Sequence, residues 1–162
     1  MINAVDIYNR IDHVAIAVKD LEAAVDHYCN VLGFSFVERR ETHGESTGMI
    51  SAVLEAKSFT VVLIQGTSSR SQVSRFIEEY GPGIQHMAIE VDDVEAVTKT
   101  LEETGTEFST NVIRSNGLVQ RFTKREPISG VMFEYIQRTE HDGYEENNIN
   151  SLFSQLEEAE AY

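Results

Sequence analysis

The sequence predicts an α+β fold made of two tandem βαβββ modules and a C-terminal helix. Three observations carry that prediction. First, the phrase Ile11-Asp12-His13-Val14-Ala15-Ile16-Ala17-Val18 returns as Ile84-Gln85-His86-Met87-Ala88-Ile89-Glu90-Val91, every residue 73 positions on. Second, both copies alternate with the period of a strand. Third, each copy runs into an aspartate, Asp20 or Asp93, followed by helical spacing. A repeat of this length marks a duplicated supersecondary unit.

Taken in order, residues 1–10 are a polar lead-in, and Ile11–Val18 is the first strand. Asp20 suits a helix N-cap. Leu21, Ala24, Val25, Tyr28 and Leu32 fall on one helical face, and Gly33 closes that helix. Phe34–Arg39, Met49–Leu54 and Phe59–Gln65 read as strands, with Glu41–Gly48 a polar hairpin loop. Module one spans 10–66. A connecting segment, 67–83, carries a short amphipathic helix over Ser71–Tyr80, with Val73, Phe76, Ile77 and Tyr80 on its apolar face. Gly81-Pro82-Gly83 ends it.

Module two, 84–138, repeats the pattern. Ile84–Val91 is a strand, and Asp93 caps a helix bearing Val94, Val97 and Leu101 that Gly105 ends. Phe108–Arg114 and Leu118–Lys124 form a hairpin about Ser115-Asn116-Gly117. Val131–Gln137 is the last strand. The tail, 139–162, has Ile149, Leu152, Phe153 and Leu156 on one face of a terminal helix. The whole chain, 1–162, reads as one domain.

Composition narrows the function. The 162 residues are 41% hydrophobic and 25% charged, ordinary for a globular protein. A net charge of −14 with no basic cluster argues against nucleic acid and anionic membranes as partners. The single cysteine, Cys29, cannot form an internal disulfide and fits a reducing compartment and a core position. With no signal pattern and no long apolar run, the expectation is a cytoplasmic protein.

Two imidazoles at equivalent places of two like modules suggest a metal site. Glu134 adds a carboxylate within the apolar strand Val131–Ile136, where it is costly unless it faces solvent or meets a cation. Aligning the fourth strands with Val62 against Val131 sets Gln65 opposite Glu134, so Gln65 is a candidate fourth ligand. His13, His86 and Glu134 make the two-histidine, one-carboxylate set associated with non-haem Fe(II), and the set also suits Co, Mn, Zn or Ni. His27, His43 and His141 read as surface residues. No nucleophile elbow, phosphate-binding loop or paired-cysteine motif is present.

Residues 10–138 resemble the vicinal oxygen chelate superfamily, whose paired βαβββ modules wrap a metal in a half-barrel. The resemblance rests on Ile11-Asp12-His13-Val14, Gln65, Gly83-Ile84-Gln85-His86-Met87-Ala88 and Phe133-Glu134. Two branches are similar. The 4-hydroxyphenylpyruvate dioxygenase and hydroxymandelate synthase branch is resembled also by Gln120-Arg121-Phe122-Thr123-Lys124, Phe133–Arg138 and the tail around Asn148–Phe153. It implies an Fe(II) dioxygenase acting on a 2-oxo acid. Gln120 would contact the substrate, Phe122 would line its pocket, the terminal helix would gate it, and Ile149 would stand where that branch typically has a phenylalanine. The methylmalonyl-CoA epimerase branch is resembled by the first helix phrase, Phe76-Ile77-Glu78 and Gly83–Asp93. It implies Gln65 on the metal, an acyl-CoA substrate, an enolate, and a catalytic carboxylate for which Glu45 is the candidate. A metal-free ligand-sequestering protein of the same fold is the third reading. The resemblance also implies a small-molecule substrate, and the edge strands of half-barrels suggest a homodimer.

Overall fold

The computed structural model describes residues 2–115, 117–139 and 154–161. In chain order it contains α1 (Ala4–Ile7), β1 (Arg10–Ala17), α2 (Leu21–Asp26), β2 (Ser35–His43), β3 (Gly48–Glu55), β4 (Thr60–Gly66), α3 (Gln72–Tyr80), β5 (Gly83–Glu90), α4 (Val94–Glu103), β6 (Ile113–Ser115), β7 (Leu118–Phe122) and β8 (Met132–Arg138). The eight strands form one curled, half-barrel sheet in the order β2-β3-β4-β1-β5-β8-β7-β6. Read inward from either edge, that order is second, third, fourth and first strand of a module.

The modules join where β1 runs antiparallel to β5, and the pairing is symmetric about Val14 and Met87. Two bulges interrupt it. Ile11 and His13 pair with Ile89 and Ala88, so Asp12 is the extra residue on β1. Ala15 and Ile16 pair with His86 and Ile84, so Gln85 is the extra residue on β5. A bulge leaves one residue outside the ladder and re-aims its side chain.

The convex face carries α2 and α4. Asp20 and Asp93 cap α2 and α4 by accepting from Ala23 N and Ala96 N, both at 3.0 Å. Helix α2 buries Leu21 against Leu54, Val61 and Leu63, with half-buried Cys29 in the same cluster. Helix α4 buries Val94, Val97 and Leu101 against Val119 and Tyr135. The concave face holds the cavity. Helix α3 covers part of it, packing Val73 and Phe76 on Ala15, Ala17 and Ile64. Residues 154–158 are helical and put buried Leu156 against Phe122 and Met132. Asn116, His141, Ile149, Leu152 and Phe153 lie outside the described residues.

Four elements depart from the sequence expectation. The polar lead-in contains α1, because Ile2, Ile7 and Tyr8 find apolar cover at the α4 cluster. The helix over 21–32 ends in a π turn, His27–Val31, before Gly33 at φ 82°. The hairpin loop shrinks to residues 44–47, since Arg40, Glu41, Thr42 and His43 all pair with β3. These are edge-strand residues, whose polar side chains read as loop. Strand β6 shrinks to three residues because the backbone upstream is bound otherwise. Phe122 N donates to Thr110 Oγ1 at 3.0 Å, and Arg121 Nε donates to Thr110 O at 3.1 Å. Such side-chain bonds replace ladder bonds.

Candidate metal centre

His13 and His86 lie on neighbouring strands β1 and β5, and Glu134 lies on β8 beside β5. Ala15 pairs with His86 and Ala88 pairs with Glu134, so short alanines flank the site and leave room between the larger side chains. His13 Nε2 is 3.3 Å from Glu134 Oε2, and His86 Nε2 is 3.5 Å from the same oxygen. One ligand atom from each residue lies within 4.8 Å of the others. Glu134 is 1% exposed, which excludes the solvent-facing reading of its strand position.

Each bulge residue holds the histidine that follows it. Asp12 Oδ1 accepts from His13 Nδ1 at 2.8 Å, and Gln85 Oε1 accepts from His86 Nδ1 at 2.5 Å. Both rings therefore carry their proton on Nδ1 and aim Nε2 into the cavity, the arrangement in which an outer group orients a metal-binding imidazole. The two supports differ in charge. Asp12 is an anion, gripped by Arg138 Nε at 2.7 Å and Nη2 at 3.0 Å. Gln85 is neutral.

The electrostatics follow from that difference. Burial disfavours the charged form of His13, but its bonds to Asp12 and Glu134 outweigh burial and raise its pKa to about 9. Burial dominates at His86 and lowers its pKa. Burial would raise Glu134 and Asp12, yet the histidine contacts hold Glu134 below the usual carboxylate range, and His13 and Arg138 do the same for Asp12.

This donor set fits a divalent metal. Glu134 Oε1 is buried and has no hydrogen-bond partner among the described residues. A buried carboxylate oxygen without a partner is costly, and a cation between it and two Nε2 atoms removes the cost.

The structure corrects the fourth candidate ligand. Gln65 is turned to the convex face, where its Oε1 accepts from Leu21 N at 2.6 Å. Gln137 does the same in module two, accepting from Val94 N at 3.2 Å. Gln65 thus corresponds to Gln137, and the alignment of Gln65 with Glu134 is out of register. The position equivalent to Glu134 is Val62, which pairs with Ala15 as Glu134 pairs with Ala88. Strand parity puts successive residues on opposite faces, so a three-residue error reverses the face.

The other candidates divide. Phe122 pairs with Glu134 in register, lines the cavity and packs edge-on to His86 with ring centroids 5.2 Å apart. Gln120 is fully buried on the same face of β7, but it does not line the cavity, and its carboxamide has no partner among the described residues. Glu45 is exposed on the 44–47 loop, away from the cavity wall, so the structure does not support it as a base. Ile149 lies outside the described residues. Asp12, Gln85, Arg138 and Arg40 were not legible as site residues. The Asp-His and Gln-His pairs of the repeat are the signal that could have found the first two. The cavity itself, about 70 Å³, is walled largely by Met49, Val53, Val62, Ile64, Val73 and Leu156.

Comparison with known proteins agrees with this geometry. Residues 10–135 match the Glyoxalase/Bleomycin resistance protein/Dioxygenase superfamily, and the chain belongs to that family. It is 26% identical to the 4-hydroxyphenylpyruvate dioxygenase of Pseudomonas aeruginosa over 185 aligned residues, 91% of this chain and 52% of the relative. A variant of 4-hydroxymandelate synthase from Streptomyces coelicolor shares the fold with a TM-score of 0.82 at 22% identity, over 93% of this chain and 54% of that one. Methylmalonyl-CoA epimerase from Mycobacterium tuberculosis matches with a TM-score of 0.70 at 26% identity, over 82% and 90%. The chain spans about half the length of the dioxygenase relatives it matches. Among the described residues no helix is long and apolar enough to cross a membrane.

Proposed function

We propose that the chain is a metal-dependent enzyme, a non-haem Fe(II) dioxygenase acting on a 2-oxo acid. The observation that carries this reading is the orientation of Gln65. With its carboxamide spent on Leu21 N, three protein ligands remain, His13, His86 and Glu134. These three residues would hold Fe(II), which would supply the Lewis-acid binding of a 2-oxo acid and the redox chemistry of its oxidative decarboxylation by O₂.

The chain's own residues supply position and shelter. Asp12 and Gln85 fix the two imidazoles, and Arg138 fixes Asp12. Phe122 braces His86, and Leu156 closes the cavity beside it, which excludes water from the reacting groups. The enolate alternative needs a base beside the metal. Among the described cavity residues Glu134 is the sole carboxylate, and it is a ligand.

Anaerobic loading with Fe(II), followed by oxygen-uptake assays on aryl and alkyl 2-oxo acids, tests the proposal. Uptake coupled to release of CO₂ is the expected result. No uptake, together with solvent deuterium exchange into an acyl-CoA, would establish the epimerase reading instead.

A further inference from the structure

Arg40 is the one lysine or arginine among the described residues that line the metal cavity. It comes from the edge strand β2, and its side chain is only 16% exposed. A guanidinium beside Val53, Val62, Ile64 and Val73 is an expensive choice for an apolar wall unless it meets an anion. Glu38, 37% exposed, accepts from Arg40 Nη2 through Oε1 at 2.5 Å.

Arg40 is placed apart from the metal ligands and in line with further polar groups. It pairs with Ser51, Ser51 pairs with Ile64, and Ile64 pairs with Ala17. The neighbouring row runs from Val53 through Val62 and Ala15 to His86. Arg40 therefore sits three strands from β1 and one row beyond the histidine row, on the wall of the cavity that His13, His86 and Glu134 also line. Buried Ser51 lies beside it on the same wall. Gln72, 5% exposed, reaches the same cavity from the first turn of α3, and its Oε1 has no partner among the described residues. A buried amide oxygen without a partner at a cavity wall is a group waiting for a ligand atom.

We propose that Arg40, with Ser51 and Gln72, binds a second carboxylate at the far end of the substrate, so that the substrate class is a 2-oxo dicarboxylic acid rather than an aryl one. This rests on the 2-oxo acid reading above. A planar guanidinium matches a carboxylate with paired N–H donors, Ser51 adds a hydroxyl donor, and Gln72 can present its amide NH₂ by a flip of the carboxamide. The protein's net charge of −14 repels dianions in general, so their selection needs a local cation of this kind.

The test is ligand binding without turnover. Fe(II)-loaded protein is titrated anaerobically with 2-oxoglutarate and 2-oxopentanoate, then with 2-oxoadipate and 2-oxohexanoate, by calorimetry and by the visible charge-transfer band of the chelate. In each matched pair the dicarboxylate should bind at least about tenfold more tightly to the wild type. Arg40→Met should abolish that preference while changing monocarboxylate affinity by no more than about twofold, and Arg40→Lys should retain part of it. Equal binding of the two acids by the wild type, or a preference that survives Arg40→Met, would overturn the role of Arg40 and leave the 2-oxo acid reading intact. Binding of neither member of either pair would overturn that reading, and this one with it.

Discussion

Asp12 and Gln85 occupy the same bulged position of the two modules, and each accepts the Nδ1 hydrogen of the histidine that follows it. A duplicated backbone irregularity thus orients both imidazoles. The duplication is unequal in charge, because Asp12 is an anion paired with Arg138 and Gln85 is neutral. His13 is thereby made the more basic ring.

Removal of either support should weaken the metal without removing a ligand. Asp12→Asn and Gln85→Leu are each expected to reduce Co(II) or Fe(II) affinity by about 10–100-fold. Arg138→Met should produce a smaller loss in the same direction, since it leaves Asp12 in place. Competition with a chromophoric chelator measures all three.

Glu134 supplies the only carboxylate of the three-residue cluster. Glu134→Ala should lower metal affinity by more than about 100-fold, beyond the effect of an outer-sphere change. Far-ultraviolet circular dichroism should remain that of the wild type. Unchanged metal content after dialysis would show that Glu134 does not bind the ion.

Gln65→Ala separates a helix-capping role from a ligand role. It should leave stoichiometric metal content intact and destabilise the protein by about 1 kcal/mol, the worth of one hydrogen bond to a partly buried helix end. Gln137→Ala, its counterpart at Val94 N, should cost a similar amount. Loss of metal on Gln65→Ala alone would restore Gln65 to the coordination sphere.

Metal uptake should strengthen as pH rises. In the metal-free protein His13 keeps a second proton up to about pH 9, and an entering metal must displace it. Apparent affinity should therefore climb about tenfold per pH unit toward pH 9 and then level off. Stability of the metal-free protein runs the other way. The folded pKa lies above the unfolded value of 6.5, so the contribution is complete below 6.5 and is lost as pH passes through about 9. Its size is on the order of 3 kcal/mol. Thermal melts of metal-free protein from pH 6 to 10 should show that decline.

Leu156 closes the cavity against Phe122 and Met132, between two anchored neighbours. Gln155 Oε1 accepts from Asn111 N at 3.0 Å, and Glu157 accepts from Thr47 Oγ1. Leu156→Ala should cost about 2 kcal/mol or more in stability and speed the loss of bound metal to an external chelator. An unchanged exchange rate would mean that this residue does not guard the site.

Much of this was legible in the chain. The repeated phrase located both histidines, and the apolar character of Val131–Ile136 marked Glu134 as anomalous. Asp20 and Asp93 were readable as caps because capping is a local interaction. The 108–112 segment was misread as strand because, past the single Phe108–Thr123 bridge, Thr110 takes bonds from Phe122 N through its hydroxyl and from Arg121 Nε through its carbonyl, an arrangement that depends on β7.

The sequence by itself determined the two modules, their order of elements and the trio His13, His86 and Glu134. Periodicity and duplication survive in one dimension, so those features could be read there. Only the tertiary structure decided which face Gln65 takes, that Asp12 and Gln85 are bulged, that Arg138 reaches Asp12 from 126 residues away, and that Arg40 enters the cavity from an edge strand. Each depends on register between strands distant in sequence, where a slip of one residue carries a side chain to the opposite face of the sheet.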